Sequence, residues 1–195
     1  MGPYTSALWR LTDDVFTSAH AELIRNLLST DRLRLDELVI IDRGIGGPSL
    51  DQLDDTGSGR YDPSDRDVFR PLQYLKSYFV MLEEGRTVDW LAREMVHMSA
   101  LHLETLVKRA GRLGPLPLGT ALGKVRVRNQ LGDVLVGQVS QVVQIYNAAK
   151  HHVDHPMDTH LFSVEDGILS YLVCRKLGSR LIPLCALNTP AGTFV

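Results

Sequence analysis

Apolar residues recur every three or four positions over most of the chain, which is the spacing of amphipathic α-helices. The first such stretch predicts one helix from about Thr5 to Ser29. A second helix begins at Ser64, where Ser64 and Asp67 resemble a capping box, and ends at Gly85. A third, from about Val88 to Arg109, carries apolar residues around most of its circumference. We therefore expect the third helix to be buried on most sides.

The next predicted helix, from about Arg126 to His152, has no charged residue between Asp133 and Lys150. A helix that is uncharged over this length usually lies at the centre of a bundle or at a subunit contact. The sequence therefore predicts a homodimer formed through this helix. A last helix follows, with Ser163 and Asp166 as its capping box.

These elements predict an all-α fold, a bundle of about five helices with little or no β structure, in a single domain over residues 1–195. The short apolar run from Val39 to Ile41 could be a strand or the end of a short helix. Residues 43–64 are rich in Gly, Asp and Ser, and this composition predicts a long, mobile loop. The apolar tail could pack as an extended strand or wrap around another subunit.

The composition argues against several classes of protein and indicates few. Apolar residues make up 44% of the chain, and the net charge of -2 with a pI near 6.4 argues against a strongly basic nucleic-acid-binding surface. No signal peptide is visible, and no stretch approaches the roughly 20 apolar residues of a membrane span. Cys174 and Cys185 are isolated thiols, as in a reducing compartment. We expect a soluble cytoplasmic protein without a cofactor.

Candidate chemistry is concentrated in one segment, YNAAKHHVDH, which spans Tyr146 to His155. His151 and His155 stand four residues apart, a spacing that puts two imidazoles on one helix face. A metal ion could recruit three ligands from this region. Further donors nearby are His152, Asp154, Asp158 and His160. Pro156 disfavours helical geometry at His155, so the alternative is a polar helix end followed by a solvated loop.

The same segment also suits chemistry on RNA. Asn147 and His151 are one helical turn apart, and Lys150 lies three residues from Asn147, so the three side chains can point to one place. A histidine could act as the general base that deprotonates a ribose hydroxyl, while the asparagine orients it. The lysine could stabilise charge on a phosphate.

An all-α bundle with an asparagine and a histidine at the end of a long buried helix resembles the HEPN superfamily, the higher eukaryotes and prokaryotes nucleotide-binding domains. Members often carry the motif Arg-Asn-x-x-x-His, and the matching string here is Tyr146-Asn147-Ala148-Ala149-Lys150-His151. The resemblance covers about residues 88–177. It implies metal-independent RNA cleavage in a dimer, with His151 activating the 2′-hydroxyl, in a protein of defence or toxin–antitoxin type.

The chain departs from this motif at Tyr146, which stands where the family has its arginine. A tyrosine can donate one hydrogen bond but brings no positive charge, and losing one oxyanion contact costs on the order of a hundredfold in rate. Lys150 could substitute for the arginine, with Tyr146 supplying an additional hydroxyl. The resemblance therefore implies either a ribonuclease or a related domain that binds RNA or nucleotides without cleaving them.

The sequence also predicts residues for substrate binding and a histidine for the core. Lys124, Arg126 and Arg128 form a compact basic cluster that could contact phosphate, or could be a solvated helix start. His97 lies on the polar stripe of its helix and could face the same pocket as His151. His102 lies on an apolar stripe, which is typical of a histidine in the core.

Two functions of other classes remain open from the sequence. The first is a non-catalytic helical protein that binds or regulates a protein partner, in which the polar helix end is structural. The second is a metal-dependent enzyme that uses His151, His155 and His160.

Overall fold

In the part of the chain that the structure describes, every regular element is helical. The computed structural model describes residues 3–53, 61–88, 90–151, 161–190 and 193–194, with the side chain of His151 outside the description. The α-helices are α1 Thr5–Val15, α2 Ser18–Leu28, α3 Leu35–Ile45, α4 Arg66–Glu83, α5 Leu91–Gly111, α6 Leu118–Leu122, α7 Val125–His151 and α8 Val164–Leu181. The all-α prediction is confirmed, with eight described helices where the sequence pattern indicated about five.

The predicted first helix is in fact two helices. Phe16 has extended backbone angles and ends α1, and Thr17 begins α2 by accepting a hydrogen bond from the backbone N–H of His20 on its side chain. Phe16 is buried at this corner. Leu23 fits the apolar spacing of one continuous helix, but after this corner it is 49% exposed. A continuous apolar stripe does not reveal a break when the residue at the corner is itself apolar.

The capping predictions had different outcomes. Ser163 and Asp166 form the predicted capping box of α8, with the Ser163 N–H donating to Asp166 Oδ2 at 2.8 Å. Ser64 does not cap α4. Instead Asp62 accepts from the Ser64 N–H at 2.9 Å and begins a short 3-10 turn, Pro63–Asp65, from which α4 continues. The run from Val39 to Ile41 belongs to helix α3.

Helices α5 and α8 form the centre of the molecule. They make the most extensive contact in the fold, and α1, α4 and α7 pack around them. Most residues of α8 are buried, and α5 is buried on most sides, as its sequence predicts. Among the described residues, none of the helices has the length and unbroken apolar character that crossing a membrane requires.

Helix α7 is interrupted at Gly132, whose backbone angles of φ 75° and ψ 160° are not helical. Beyond the kink, the apolar face of α7 packs against α5, and Val139, Val142 and Ile145 are buried. Val134 was predicted to lie on the same stripe, but the kink leaves it 75% exposed. The charge-poor segment therefore packs on its own domain along one face and leaves Ser140, Gln141 and Gln144 exposed. Gln138 is buried, donates to Asp14 Oδ2 at 2.8 Å and accepts from Arg180 Nη1 at 3.0 Å.

The predicted loop, residues 43–64, is described only in part. Residues 54–60 lie outside the description. On either side of them, Leu50, Leu53 and Tyr61 are buried in the core. Lys76 on α4 donates to the Leu53 carbonyl at 2.7 Å, which ties the first half of this segment to the bundle.

Helix α8 approaches α5 closely at Gly167, and this contact predicts a stability effect. A Cβ added at Gly167 would lie 2.9 Å from Met95 Cε and 3.0 Å from Met95 Cβ. We expect Gly167→Ala to lower the free energy of unfolding by about 1–3 kcal/mol, because the core must shift to accept the methyl group. Urea denaturation followed by circular dichroism measures the change.

The control for this prediction is Gly137→Ala in helix α7. A Cβ at Gly137 would meet nothing within 4 Å, so the same substitution should stabilise the protein by roughly 0.5–1 kcal/mol through helix propensity alone. Equal effects of the two substitutions would contradict the close approach of α8 to α5 at Gly167.

Candidate functional site at the α5–α7 contact

The last turns of α7 carry Tyr146, Asn147 and Lys150 from the HEPN-like motif. Tyr146 faces α5 and is 3% exposed, whereas Asn147 and Lys150 lie on the exposed side of the helix. Successive residues of a helix are rotated by about 100°, so Tyr146 and Asn147 point in different directions. The motif is therefore divided between a buried aromatic ring and an exposed polar face.

His97 on α5 contacts this end of α7 through Tyr146. The imidazole of His97 stacks on the Tyr146 ring with 5.7 Å between ring centroids and 23° between ring planes. Glu94 Oε2 lies 3.6 Å from His97 Nδ1, one helical turn earlier on α5. Among the described residues, His97 Nε2 has no hydrogen-bond partner. The half-buried ring is thus fixed on one side and open to a ligand at its other nitrogen.

A buried carboxylate, Glu104, lies next to the hydroxyl end of Tyr146. Burial, followed by the negative charge of Glu104, raises the pKa of Tyr146 well above its ordinary range. Lys108 forms an ion pair with Glu104 Oε1, while Glu104 Oε2 has no hydrogen-bond partner among the described residues. Tyr146 therefore keeps its proton at physiological pH and carries no charge.

Lys150 provides an exposed positive charge at the same place. Its ammonium nitrogen lies 5.6 Å from the centroid of the Tyr146 ring, a cation–π distance, one helical turn further along α7. The Tyr146 ring therefore contacts both His97 and Lys150. We call His97, Glu104, Tyr146, Asn147 and Lys150 the α5–α7 site.

Comparison of the chain with known protein families, curated protein sequences and solved structures found no match.

The rest of the predicted site falls outside this cluster or outside the description. The side chain of His151 and all of residues 152–160 are not described, so the proposed metal ligands His155 and His160 belong to that part. Within the described residues, no group of three or more His, Cys, Asp and Glu side chains could hold a metal ion.

The basic cluster lies at the opposite end of α7. Lys124, Arg126 and Arg128 are exposed around its first turn, before the kink at Gly132, and the helix from Asp133 to Asn147 is itself about 20 Å long. Arg128 Nη2 lies 3.9 Å from Asp133 Oδ1, which partly compensates its charge. Within one protomer, this cluster is therefore too far from the α5–α7 site for both to bind one phosphate group.

His102 is a core histidine, as the sequence predicts. It is fully buried, and its Nδ1 lies 2.8 Å from the Val68 carbonyl oxygen, so Nδ1 carries the proton and donates it. Burial lowers the pKa of His102 to about 4. This ring is neutral at physiological pH and lies away from the α5–α7 site.

Sequence reasoning did not assign Glu104 or Lys108 to the site, although the pattern contained a signal. The narrow polar stripe of an otherwise apolar helix consists of Arg93, His97, Glu104 and Lys108. A polar stripe on a buried helix has to face either solvent or another polar surface. Here it faces the end of α7 that carries the motif.

The site can hold an anion and exchange a proton with it. Lys150 supplies an exposed cation, Asn147 supplies an exposed amide, and His97 supplies an imidazole held beside a carboxylate. Histidine is the side chain best suited to proton transfer near neutral pH.

Proposed function

We propose that the protein binds RNA at the α5–α7 site, as a HEPN-like, metal-independent ribonuclease or as a non-catalytic relative of one. The observation that carries this proposal is the stacking of His97 on Tyr146, the residue that precedes Asn147 in the HEPN-like motif. A site with two histidines, a lysine and an amide has the groups that RNA cleavage without a metal needs.

In this proposal each group has a separate role. Lys150 contacts the phosphate and replaces the charge of the motif's arginine. His151 is the general base that takes the 2′-hydroxyl proton, with Asn147 orienting it. Tyr146 acts as a positioning residue for His97 and Lys150, because it is almost fully buried and remains neutral. His97 binds the substrate through its unpartnered Nε2.

The charged groups at the site are poorly suited to efficient cleavage. Glu94 and Glu104 bring two carboxylates close to His97 and Tyr146, and a lysine on a flexible stem orients a phosphate less well than a bidentate arginine. The non-catalytic alternative, an RNA-associated regulatory protein in a homodimer, rests on this observation. Native mass spectrometry measures the oligomeric mass and, in the same spectrum, any bound metal.

The decisive experiment measures binding and cleavage of a fluorescein-labelled single-stranded RNA in the presence of EDTA. We expect Lys150→Ala to weaken binding roughly tenfold, the value of one charge-assisted hydrogen bond to phosphate. It should also reduce the slope of log affinity against log salt concentration by roughly 0.7. His151→Ala should abolish any cleavage, and Tyr146→Phe, which keeps the ring, should leave binding unchanged.

Lys176→Ala is the matched control for Lys150→Ala. Lys176 also lies over an aromatic ring, 5.8 Å from the centroid of Phe16, but on α8 and outside the α5–α7 site. Its removal should leave RNA affinity and the salt slope unchanged. The proposal is wrong if Lys150→Ala and His151→Ala leave both RNA binding and RNA cleavage as they are in the parent protein.

A further inference from the structure

A groove between α4 and α5 is separate from the α5–α7 site. It has a volume of about 620 Å³, within the range of small-molecule sites in proteins. Its walls are contributed by one face of each helix, and this face of α5 lies beside the one that carries His97 and Glu104. Its lining includes Arg66, Arg70, Tyr74, Pro71, Met98 and Leu101.

The floor of the groove is apolar. Pro71 from α4 and Met98 and Leu101 from α5 line it, and most of the lining surface is carbon. Met98 and Leu101 are only partly covered by the rest of the bundle. A ligand with an apolar chain or ring would remove this surface from water and gain hydrophobic free energy.

The rim of the groove carries two arginines, Arg66 and Arg70. Within the described residues, neither Arg66 nor Arg70 pairs with a carboxylate. Arg70 is half-buried, and its Nε and Nη2 donate to the Tyr74 hydroxyl oxygen at 3.1 and 2.9 Å. Because the Tyr74 oxygen accepts from Arg70, its own O–H remains available to donate. The Arg70–Tyr74 pair thus presents a fixed positive donor edge beside the apolar floor.

The third arginine of the groove fixes one wall. Arg109 donates to Asp65 Oδ1 at 2.7 Å, to Asp67 Oδ1 at 2.5 Å and to the Ser64 carbonyl at 2.6 Å. From the other side, the N–H and the hydroxyl of Thr189 both donate to Asp65 Oδ2 at 2.7 Å. These bonds hold the Pro63–Asp65 turn, so the groove is formed before any ligand arrives, which lowers the entropy cost of binding.

We propose that the α4–α5 groove binds a small amphipathic anion, in which one apolar chain or ring carries a single carboxylate, sulfonate or phosphate group. The chain lies over Pro71, Met98 and Leu101, and the anionic group is bound by Arg70, Tyr74 and Arg66. Charge complementarity selects this class, because the apolar floor alone would accept neutral and anionic ligands equally. The site is independent of RNA binding at the α5–α7 contact.

The test uses decanoate, below its micellar concentration, as the probe. The parent protein carries methionines labelled with ¹³C at the methyl group, and the chain has five methionines. The Met98 methyl signal is assigned by comparison with Met98→Leu. We expect decanoate to shift the Met98 signal saturably and to leave that of the core residue Met95 much less affected. Decanol, with the same chain and no charge, should bind at least tenfold more weakly.

Two variants and one control separate charge from chain recognition. Arg70→Gln should weaken decanoate at least tenfold and leave decanol unchanged, whereas Leu101→Gln should weaken both. Arg10→Gln is the control, since Arg10 is an exposed arginine on α1 outside the groove. The methyl spectrum of each variant also reports whether it is folded.

The inference is overturned if decanol binds as tightly as decanoate, because the groove would then be an apolar crevice without anion recognition. It is also overturned if folded Arg70→Gln binds decanoate like the parent protein. A shift of all methionine signals without saturation would mean adsorption to the surface and would overturn it as well. If labelled RNA, and not decanoate, moves the Met98 signal, the groove belongs to a nucleic-acid surface and the inference fails.

Discussion

Replacing Arg175 with methionine is expected to lower the free energy of unfolding by about 3–5 kcal/mol, the usual cost of breaking a buried ion pair. Arg175 on α8 and Asp42 on α3 are both fully buried, and Arg175 Nε donates to Asp42 Oδ1 at 3.0 Å. The substitution keeps most of the side-chain volume but leaves a carboxylate in the core without its cation. Urea denaturation gives the change in free energy from the shift of the midpoint.

The effect should be large because the pair also holds the segment that follows α3. Arg175 Nη2 donates to the Gly46 carbonyl at 3.1 Å, and Asp42 Oδ2 accepts from the Leu50 N–H at 2.8 Å. Removing the guanidinium leaves the Gly46 carbonyl without this donor. The chain from Gly46 to Leu50 therefore depends on the same two side chains.

Arg43→Met is the matched control, on the neighbouring residue of α3. Arg43 pairs with Asp51 at 2.5 Å, but the pair is exposed to solvent, and exposed ion pairs contribute little to stability. The urea midpoint of Arg43→Met should stay near that of the parent protein. The double variant Asp42→Leu, Arg175→Met removes both charges and should recover part of the loss. Equal midpoints for Arg175→Met and Arg43→Met would contradict the burial of the first pair.

Helices α5 and α8 could be predicted from sequence because their patterns are determined locally. Apolar residues on most sides of α5 require a buried helix, and the Ser163–Asp166 box marks the start of α8. The division of the first helix at Phe16 could not be predicted. An apolar residue fits a helix and a buried corner equally well, and only the packing of the neighbouring helices decides between them.

In the candidate site, too, relations within one helix could be predicted from the sequence, whereas contacts between helices could not. Asn147 and Lys150 were found because a helix fixes the relation between residues three or four apart. The contact of His97 with Tyr146 joins two helices, and periodicity gives only the face on which each residue lies. Asp42 and Arg175 are also far apart in the sequence. The residues around each of them do not indicate that it has a buried partner.

A loss of stability on mild acidification is the second large effect expected. Burial, as the larger cause, and the charge of Arg175 lower the pKa of His102 to about 4 from 6.5, against the opposing hydrogen bond to the Val68 carbonyl. The unfolded chain therefore binds a proton at this residue at a higher pH than the folded chain does. The contribution of neutral His102 to the free energy of unfolding is fully present above pH 6.5. It decreases as the pH falls and is lost by about pH 4. The shift corresponds to about 3 kcal/mol.

The geometry around His102 explains why protonation is unfavourable. Nδ1 already donates to the Val68 carbonyl, so a second proton would be placed on Nε2, which is buried and has no partner among the described residues. Gly178 of α8 lies against this nitrogen, since a Cβ there would be 3.0 Å from Nε2. No acceptor is available for the new N–H at this contact. Protonation therefore adds a charge and an unsatisfied donor to the core.

Urea denaturation of the parent protein and of His102→Asn between pH 7 and pH 4 measures this contribution. The asparagine amide can still donate to the Val68 carbonyl but does not titrate, so the variant should lose about 3 kcal/mol less than the parent over this range. His20→Gln, on the surface of α2, should keep the pH-dependent loss because His102 is still present. The fold lowers the pKa of carboxyl groups such as Asp65 and Glu94. Their contributions to the free energy of unfolding are therefore lost mainly below about pH 4. If the parent and His102→Asn lose stability in parallel from pH 7 to pH 4, His102 is not the residue whose protonation destabilises the fold.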